Sequence, residues 1–93
     1  MNGNRLNRNH ALRLVRTIRQ SRNFVLPGHT GRRLRERNID MVDVDNVLRT
    51  GRIDTEGRLE DGSWRYRVET DRMVVVVAFR SRSEMVIVTT WRK

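Results

Sequence analysis

The apolar residues of this 93-residue chain change their spacing near Gly51, and this change limits what the chain can fold into. Before that point, one helical face carries apolar residues, namely Ala11, Leu14, Val15 and Ile18. After it, apolar and charged residues alternate with a period of two, and the run 73–79 is apolar on both sides, as in a central strand. Helices followed by strands predict an α+β domain, with N-terminal helices packed on one face of a four-stranded antiparallel meander sheet.

Turn and capping signals divide the chain into three helices and four strands. The helices are predicted at 10–22, at 29–37, and between an N-cap at Asp40 and a closing Gly51. The strands are predicted at 51–59, 63–70, 73–79 and 84–92, with Asp61-Gly62 as a hairpin turn. We expect a single domain over 10–93, in which 10–23 is an added helix and 29–93 is the core. A flexible polar leader is expected at 1–9.

The net charge of the chain comes entirely from its first 37 residues. Ten arginines and one acid, Glu36, give this segment a charge of +9, whereas residues 38–93 hold ten basic and ten acidic residues. All but one of the twenty basic residues are arginines, and the guanidinium group can hold phosphate through two hydrogen bonds. A polyanion, RNA or another nucleic acid, is therefore the expected partner.

Several classes of site find no support in the sequence. The chain has no cysteine, which excludes disulfides and thiolate metal sites, and His10 and His29 are too far apart for a zinc motif. Neither a Gly-rich phosphate loop nor a nucleophile elbow is present, so no metal or cofactor is expected. The longest apolar run is too short to cross a membrane, and no signal peptide is evident, so a cytoplasmic location is expected.

The pattern His29-x3-Arg33-x3-Arg37 is the sharpest local candidate for chemistry. Spacing of four residues places the three side chains on one helical face, where two guanidinium groups and an imidazole could hold a phosphate. The alternative interpretation is a solvated basic face with an incidental histidine.

Other candidates are less distinctive. Tyr66 could carry a proton, although its neighbours Trp64 and Val68 favour a place in the core. Trp91 and Arg92 could stack a base and hold a phosphate, or could cover the end of a small core. Further candidates for contacting nucleic acid, with a solvated face as the alternative, are Arg13, Arg16 and Arg32.

The order of several short motifs resembles a widespread family of small bacterial domains of unknown function. The motifs are the run 29–39, the pairs Asp43-Val44 and Val47-Leu48, the run 51–53, the strand 64–68 and the strand 86–91. This family is similar to the RelE/ParE and BrnT toxins, in a superfold that also contains barnase-like ribonucleases. The resemblance covers about residues 29–93 and implies helices packed on an antiparallel sheet.

The resemblance also implies a chemistry, metal-free cleavage of RNA by its own 2′-hydroxyl. His29 would be the base or the acid, and Tyr66 a second proton carrier. Arg33, Arg37 and Arg92 would clamp the phosphate.

These observations predict a toxin-like RNA-binding protein that an acidic antitoxin would neutralise. Such a protein could be a metal-independent endoribonuclease. A non-catalytic arginine-rich module that binds nucleic acid or an acidic protein is the alternative. A gyrase-directed toxin of the ParE kind is a third reading, and the oligomeric state is left open.

Overall fold

The computed structural model describes residues 4–93 and has three helices and five strands. The elements are α1 (Arg8–Ser21), β1 (Phe24–Val25), α2 (Gly28–Glu36), α3 (Met41–Thr50), β2 (Arg58–Glu60), β3 (Ser63–Glu69), β4 (Met73–Phe79) and β5 (Met85–Arg92). The mixed α+β class is confirmed. The expected four-stranded antiparallel sheet is wrong, because the sheet has five strands in the order β1-β5-β4-β3-β2 and β1 runs parallel to β5.

Strand β1 has only two residues, which is too short for an alternating pattern to reveal it. Phe24 pairs with Met85, and the Met85 N–H donates to the Asn23 carbonyl at 3.2 Å. The pairing depends on β5, which lies about sixty residues later in the chain, so no local signal marks it.

The predicted first strand, 51–59, forms a strand only at 58–60. Arg52 makes one isolated bridge to Glu69, after which the chain turns through residues that favour loops, Asp54 to Gly57. Gly57 then passes so close to Tyr66 that a Cβ atom there would lie 2.6 Å from the ring. Ile53 is buried and belongs to the core, which accounts for the apolar signal in this segment.

Side chains define the ends of α1 and α3. Asn7 accepts from the His10 N–H at 2.8 Å and caps α1, while Asp40 and Asp43 form a reciprocal capping box on α3, as the Asp40 N-cap predicts. Of the predicted leader, 1–3 lies outside the described residues. Its described part includes the first residues of α1 and Leu6, whose N–H donates to the Tyr66 hydroxyl at 2.9 Å.

The core lies between the helices and one face of the sheet. Buried apolar residues from α1, α2 and α3 form one cluster with alternate residues of the strands, including Tyr66, Val68, Val75 and Ile87. The intervening residues point to the opposite face, which bears Arg65, Arg67, Val74, Val76 and Trp91. We call this second surface the open face.

Helix α2 lies beside β5, beyond the short pairing with β1. The Thr30 hydroxyl donates to the Val88 carbonyl at 3.0 Å, and the Arg37 guanidinium donates to the Thr90 carbonyl at 2.6 Å. Side chains of this helical segment thus satisfy carbonyls of β5 that a longer β1 would have paired.

Candidate nucleic-acid interface

Helix α2 presents most of its side chains to solvent. Only Thr30 and Leu34 are buried, and their spacing of four residues places both on the side that faces β5 and the core. The other faces carry His29, Arg32, Arg33 and Arg35, all exposed, and we call these four residues the α2 surface.

The three arginines of the α2 surface form no ion pair with a described carboxylate. Over residues 4–93, no carboxylate oxygen lies within 4 Å of the guanidinium of Arg32, Arg33 or Arg35. The one acid in the helix is Glu36. Some arginines elsewhere do have a carboxylate partner, as in Arg5–Glu56 at 3.0 Å and Arg80–Glu84 at 3.5 Å. Three arginines against one glutamate leave helix α2 with a net positive charge that no described ion pair within 4 Å reduces.

Arg37 and Arg92 lie close together, but the guanidinium group of each donates hydrogen bonds to backbone carbonyls. The Arg92 guanidinium donates to the carbonyls of Arg37 at 2.7 Å and Asn38 at 2.9 Å, and lies 3.8 Å from the Asp43 carboxylate. Arg37 in turn donates to the Thr90 carbonyl. These bonds tie the end of α2 to the end of β5 and satisfy carbonyls that helix termination leaves free.

His29 and Tyr66 lie in different parts of the molecule. His29 is the second residue of α2, exposed, and about 12 Å along the helix axis from Arg37, given a rise of 1.5 Å per residue. Tyr66 lies on β3, two strands from β5, with 2 % of its surface exposed. Its hydroxyl accepts from the Leu6 N–H, and its ring packs 5.4 Å from that of Phe79.

The arginines of α1 divide between structure and solvent. Arg16 donates to the carbonyls of Leu48 at 3.0 Å and Gly51 at 2.8 Å, so that it closes the end of α3, and burial lowers the pKa of its guanidinium. Arg19 forms two hydrogen bonds to the Asp45 carboxylate. Arg13 is exposed, so of these three it alone is free to meet a ligand among the described contacts.

Trp91 lies on the open face, in a shallow basin of about 360 Å³. Its neighbours there include Arg58, Arg65, Arg67, Val88 and Thr89. The Arg67 guanidinium carbon lies 5.4 Å from the centre of the Trp91 ring, which is a cation–π contact. A bulge opposite Val76 and Val77 adds Val88 to β5 and brings Val88 and Thr89 side by side into the basin.

Arg58, Arg65 and Arg67 were not among the predicted site residues. The alternation within 64–68 does place Arg65 and Arg67 on the face opposite Tyr66, so a signal for them was present. What the pattern could not show is that no helix within residues 4–93 covers this face, because that depends on where the three helices pack.

Among residues 4–93, no three His, Cys, Asp or Glu side chains gather into an arrangement that could hold a metal ion. Within the same range, no helix is both long enough and apolar enough to cross a membrane.

The chain belongs to the DUF4258 family, a domain of unknown function whose profile matches residues 27–92. No curated protein shows significant similarity to the chain. No solved structure does so either.

Proposed function

We propose that this DUF4258 protein binds RNA, with the α2 surface contacting the phosphate backbone. The observation that supports it is the exposure of Arg32, Arg33 and Arg35 on one short helix, without a carboxylate partner among the described residues. An unmatched cationic patch on a protein of net charge +9 attracts polyanions and gains free energy by releasing their condensed counterions.

Arginine suits this task better than lysine would. Each guanidinium offers five N–H donors in a planar fork, which can hold two oxygens of one phosphate. None of the three guanidinium groups has to leave a described carboxylate in order to bind, so no existing ion pair opposes the contact.

The geometry favours binding without cleavage over the endoribonuclease form. Cleavage through the 2′-hydroxyl needs a base and an acid within hydrogen-bond reach of one phosphate. His29 could serve as one of them. The Tyr66 hydroxyl, the second expected proton carrier, is buried and already bonded to Leu6. We therefore propose a non-catalytic module as the primary function.

The resemblance to the RelE/ParE and BrnT toxins adds an expected partner to this proposal. An acidic antitoxin segment would bind the same guanidinium groups as the phosphates do, and so would compete with RNA for the α2 surface. An acidic peptide that displaces bound RNA at equal salt concentration would support this part of the proposal.

The proposal is tested by removing the three charges. The variant Arg32→Gln/Arg33→Gln/Arg35→Gln is expected to bind labelled single-stranded RNA at least about tenfold more weakly at ~0.1 M salt, as measured by fluorescence anisotropy. The matched control is Arg72→Gln/Arg80→Gln/Arg82→Gln, which removes the same charge from two exposed turns of the sheet.

Equal losses in the two variants would overturn the proposal, because binding would then follow net charge and not the α2 surface. The same RNA is also analysed for cleavage products. Cleavage by the wild type that His29→Ala abolishes, with RNA affinity retained, would replace the binding module by the endoribonuclease.

A further inference from the structure

We infer that the basin on the open face binds an unpaired nucleobase, and that the protein therefore prefers single-stranded RNA to a duplex. The inference rests on the proposed function, because it assigns a second contact to the same RNA. It is carried by a different set of residues, Trp91, Arg67, Arg65 and Arg58, none of which belongs to α2.

Trp91 and Arg67 together form a stacking platform. Both side chains lie on the open face, where β4 separates their strands, and the guanidinium carbon is 5.4 Å from the ring centre. Planar guanidinium and indole groups both stack on bases, and such stacking tolerates any base because every base has a π-face. The volume of about 360 Å³ is within the range of small-molecule sites.

Three arginines and two glutamates, Glu56 and Glu60, line the basin, and the net positive charge favours a ligand with a phosphate. Arg58 has no carboxylate within 4 Å over the described residues, and Arg65 is shared between Glu60 at 3.2 Å and Asp61 at 3.9 Å. The Nε–H of Arg65 is buried without a hydrogen-bond partner there, which is a costly state for a donor. Arg65 already lines the basin, so a phosphate oxygen that reaches its Nε–H from there would relieve that cost.

The basin and helix α2 both adjoin β5. Trp91 is the residue after Thr90, whose carbonyl accepts from Arg37 at the end of α2. A single RNA strand that crosses this edge of the sheet could touch α2 with its phosphates and the basin with a base. Bases in a duplex are stacked inside it and cannot enter the basin, so only the α2 contact would remain for double-stranded RNA.

The inference is tested with tryptophan substitutions on the two faces of the sheet. Trp91→Leu is expected to weaken binding of a single-stranded oligoadenylate of about 12 nucleotides by about fivefold or more. Its affinity for the duplex of oligoadenylate with oligouridylate is expected to stay unchanged. The matched control is Trp64→Leu, since Trp64 also pairs with an arginine, Arg5 at 5.8 Å, but packs against the core on the other face.

A second readout does not depend on Trp91→Leu folding. In a Trp64→Phe protein, Trp91 is the remaining tryptophan, and oligoadenylate is expected to quench its fluorescence whereas the duplex is not. Trp91→Phe, which keeps an aromatic face, is expected to recover part of the affinity that Trp91→Leu loses.

Equal affinities for single strand and duplex, with no quenching, would overturn the basin inference alone. If oligoadenylate quenches Trp91 in the Trp64→Phe protein, and the Arg32/Arg33/Arg35 variant binds RNA as tightly as the wild type, the basin is supported and the proposed role of the α2 surface is overturned. The two failures are therefore distinguishable.

Discussion

At the scale of single residues, the arginines of this protein fall into two groups, those bonded to backbone carbonyls and those that face solvent. Arg16 and Arg92 donate to backbone carbonyls where helices end, and Arg37 donates to a carbonyl of β5, so all three help to hold the fold together. Arg32 and Arg33 make no such bond among the described residues and face solvent. Side-chain type alone cannot separate the two groups, because the separation depends on which carbonyls lie nearby after folding.

The Arg19–Asp45 pair leads to a prediction about pH. Hydrogen bonds of 2.8 and 2.9 Å from Arg19 hold the pKa of Asp45 below its ordinary value. A carboxylate whose pKa is lower in the folded state stabilises the fold above its unfolded pKa of about 3.9, and this contribution disappears as pH falls through the folded pKa. Asp45→Asn is expected to lower the free energy of unfolding by up to about 1 kcal/mol near neutral pH.

Urea denaturation at a series of pH values measures this effect. The deficit of Asp45→Asn should shrink as the pH is lowered below about 3.9. Asp61→Asn is the control, since the Asp61 side chain is 95 % exposed and lies 3.9 Å from its nearest guanidinium. Any change that it makes through the turn, where Asp61 has a φ of 50°, should be the same at every pH. A deficit for Asp45→Asn that is constant with pH would contradict the assignment to the ion pair.

At the scale of elements, the sequence pattern predicted the long helices and strands and missed the short strand β1 and the true length of β2. The three helices and the strands β3, β4 and β5 occupy nearly their expected positions, because helical spacing, alternation or an unbroken apolar run extends over seven or more residues in each. Strand β1 pairs with the edge that β5 offers, and the segment before β2 passes close to the ring of Tyr66 at Gly57. Both exceptions arise from contacts distant in sequence.

The same limit applies to the candidate site. Four-residue spacing predicted a common stripe of His29, Arg33 and Arg37, and the helix itself is present. Whether Arg37 would remain free depended on the position of the Thr90 carbonyl, which helical spacing cannot reveal. The open face was missed for a similar reason, since it is defined by the absence of a packed helix over β3, β4 and β5 in the described structure.

Helix α2 contains a glycine that its surroundings do not require. An added Cβ at Gly31 would meet only the Arg35 Nη1 atom, at 3.8 Å, which is ordinary contact. Gly31→Ala is therefore expected to raise the free energy of unfolding by about 0.5–1 kcal/mol, because alanine loses less backbone freedom in a helix. The midpoint of urea denaturation measures the change.

Gly51→Ala provides the contrast. A Cβ at this position would lie 2.6 Å from the Val47 carbonyl oxygen and 3.0 Å from that of Glu69, both of them backbone atoms that cannot easily move. It is expected to destabilise the protein by about 1–3 kcal/mol. Stabilisation by both substitutions, or by neither, would show that space around the glycine does not decide the outcome.

At the scale of the whole molecule, each arginine attracts an anion only over a short range compared with the size of the protein. The Cα atoms extend over 34 × 25 × 24 Å, so the longest dimension is more than three Debye lengths at 0.1 M salt, where that length is about 10 Å. Arginines on distant turns therefore contribute little to an anion held at the α2 surface. Net charge brings the polyanion near, and the unmatched groups that it touches decide the affinity.

The salt dependence of RNA binding separates local contacts from the general field. Each phosphate neutralised on a single strand contributes about 0.7 to the slope of log K against log salt concentration. Removing Arg32, Arg33 and Arg35 is expected to reduce the slope by about 2, since three contacts are lost. Removing Arg72, Arg80 and Arg82 should leave it unchanged. Anisotropy titrations over a range of salt concentrations give these slopes.

Trp91→Leu should behave differently in the same titrations. Stacking of a base releases no counterions, so its loss is expected to lower the affinity equally at every salt concentration and to leave the slope unchanged. A reduced slope for Trp91→Leu would mean that loss of the ring also removes a phosphate contact of the basin, and not stacking alone. An unchanged slope for the Arg32/Arg33/Arg35 variant would mean that phosphates are held elsewhere than on α2.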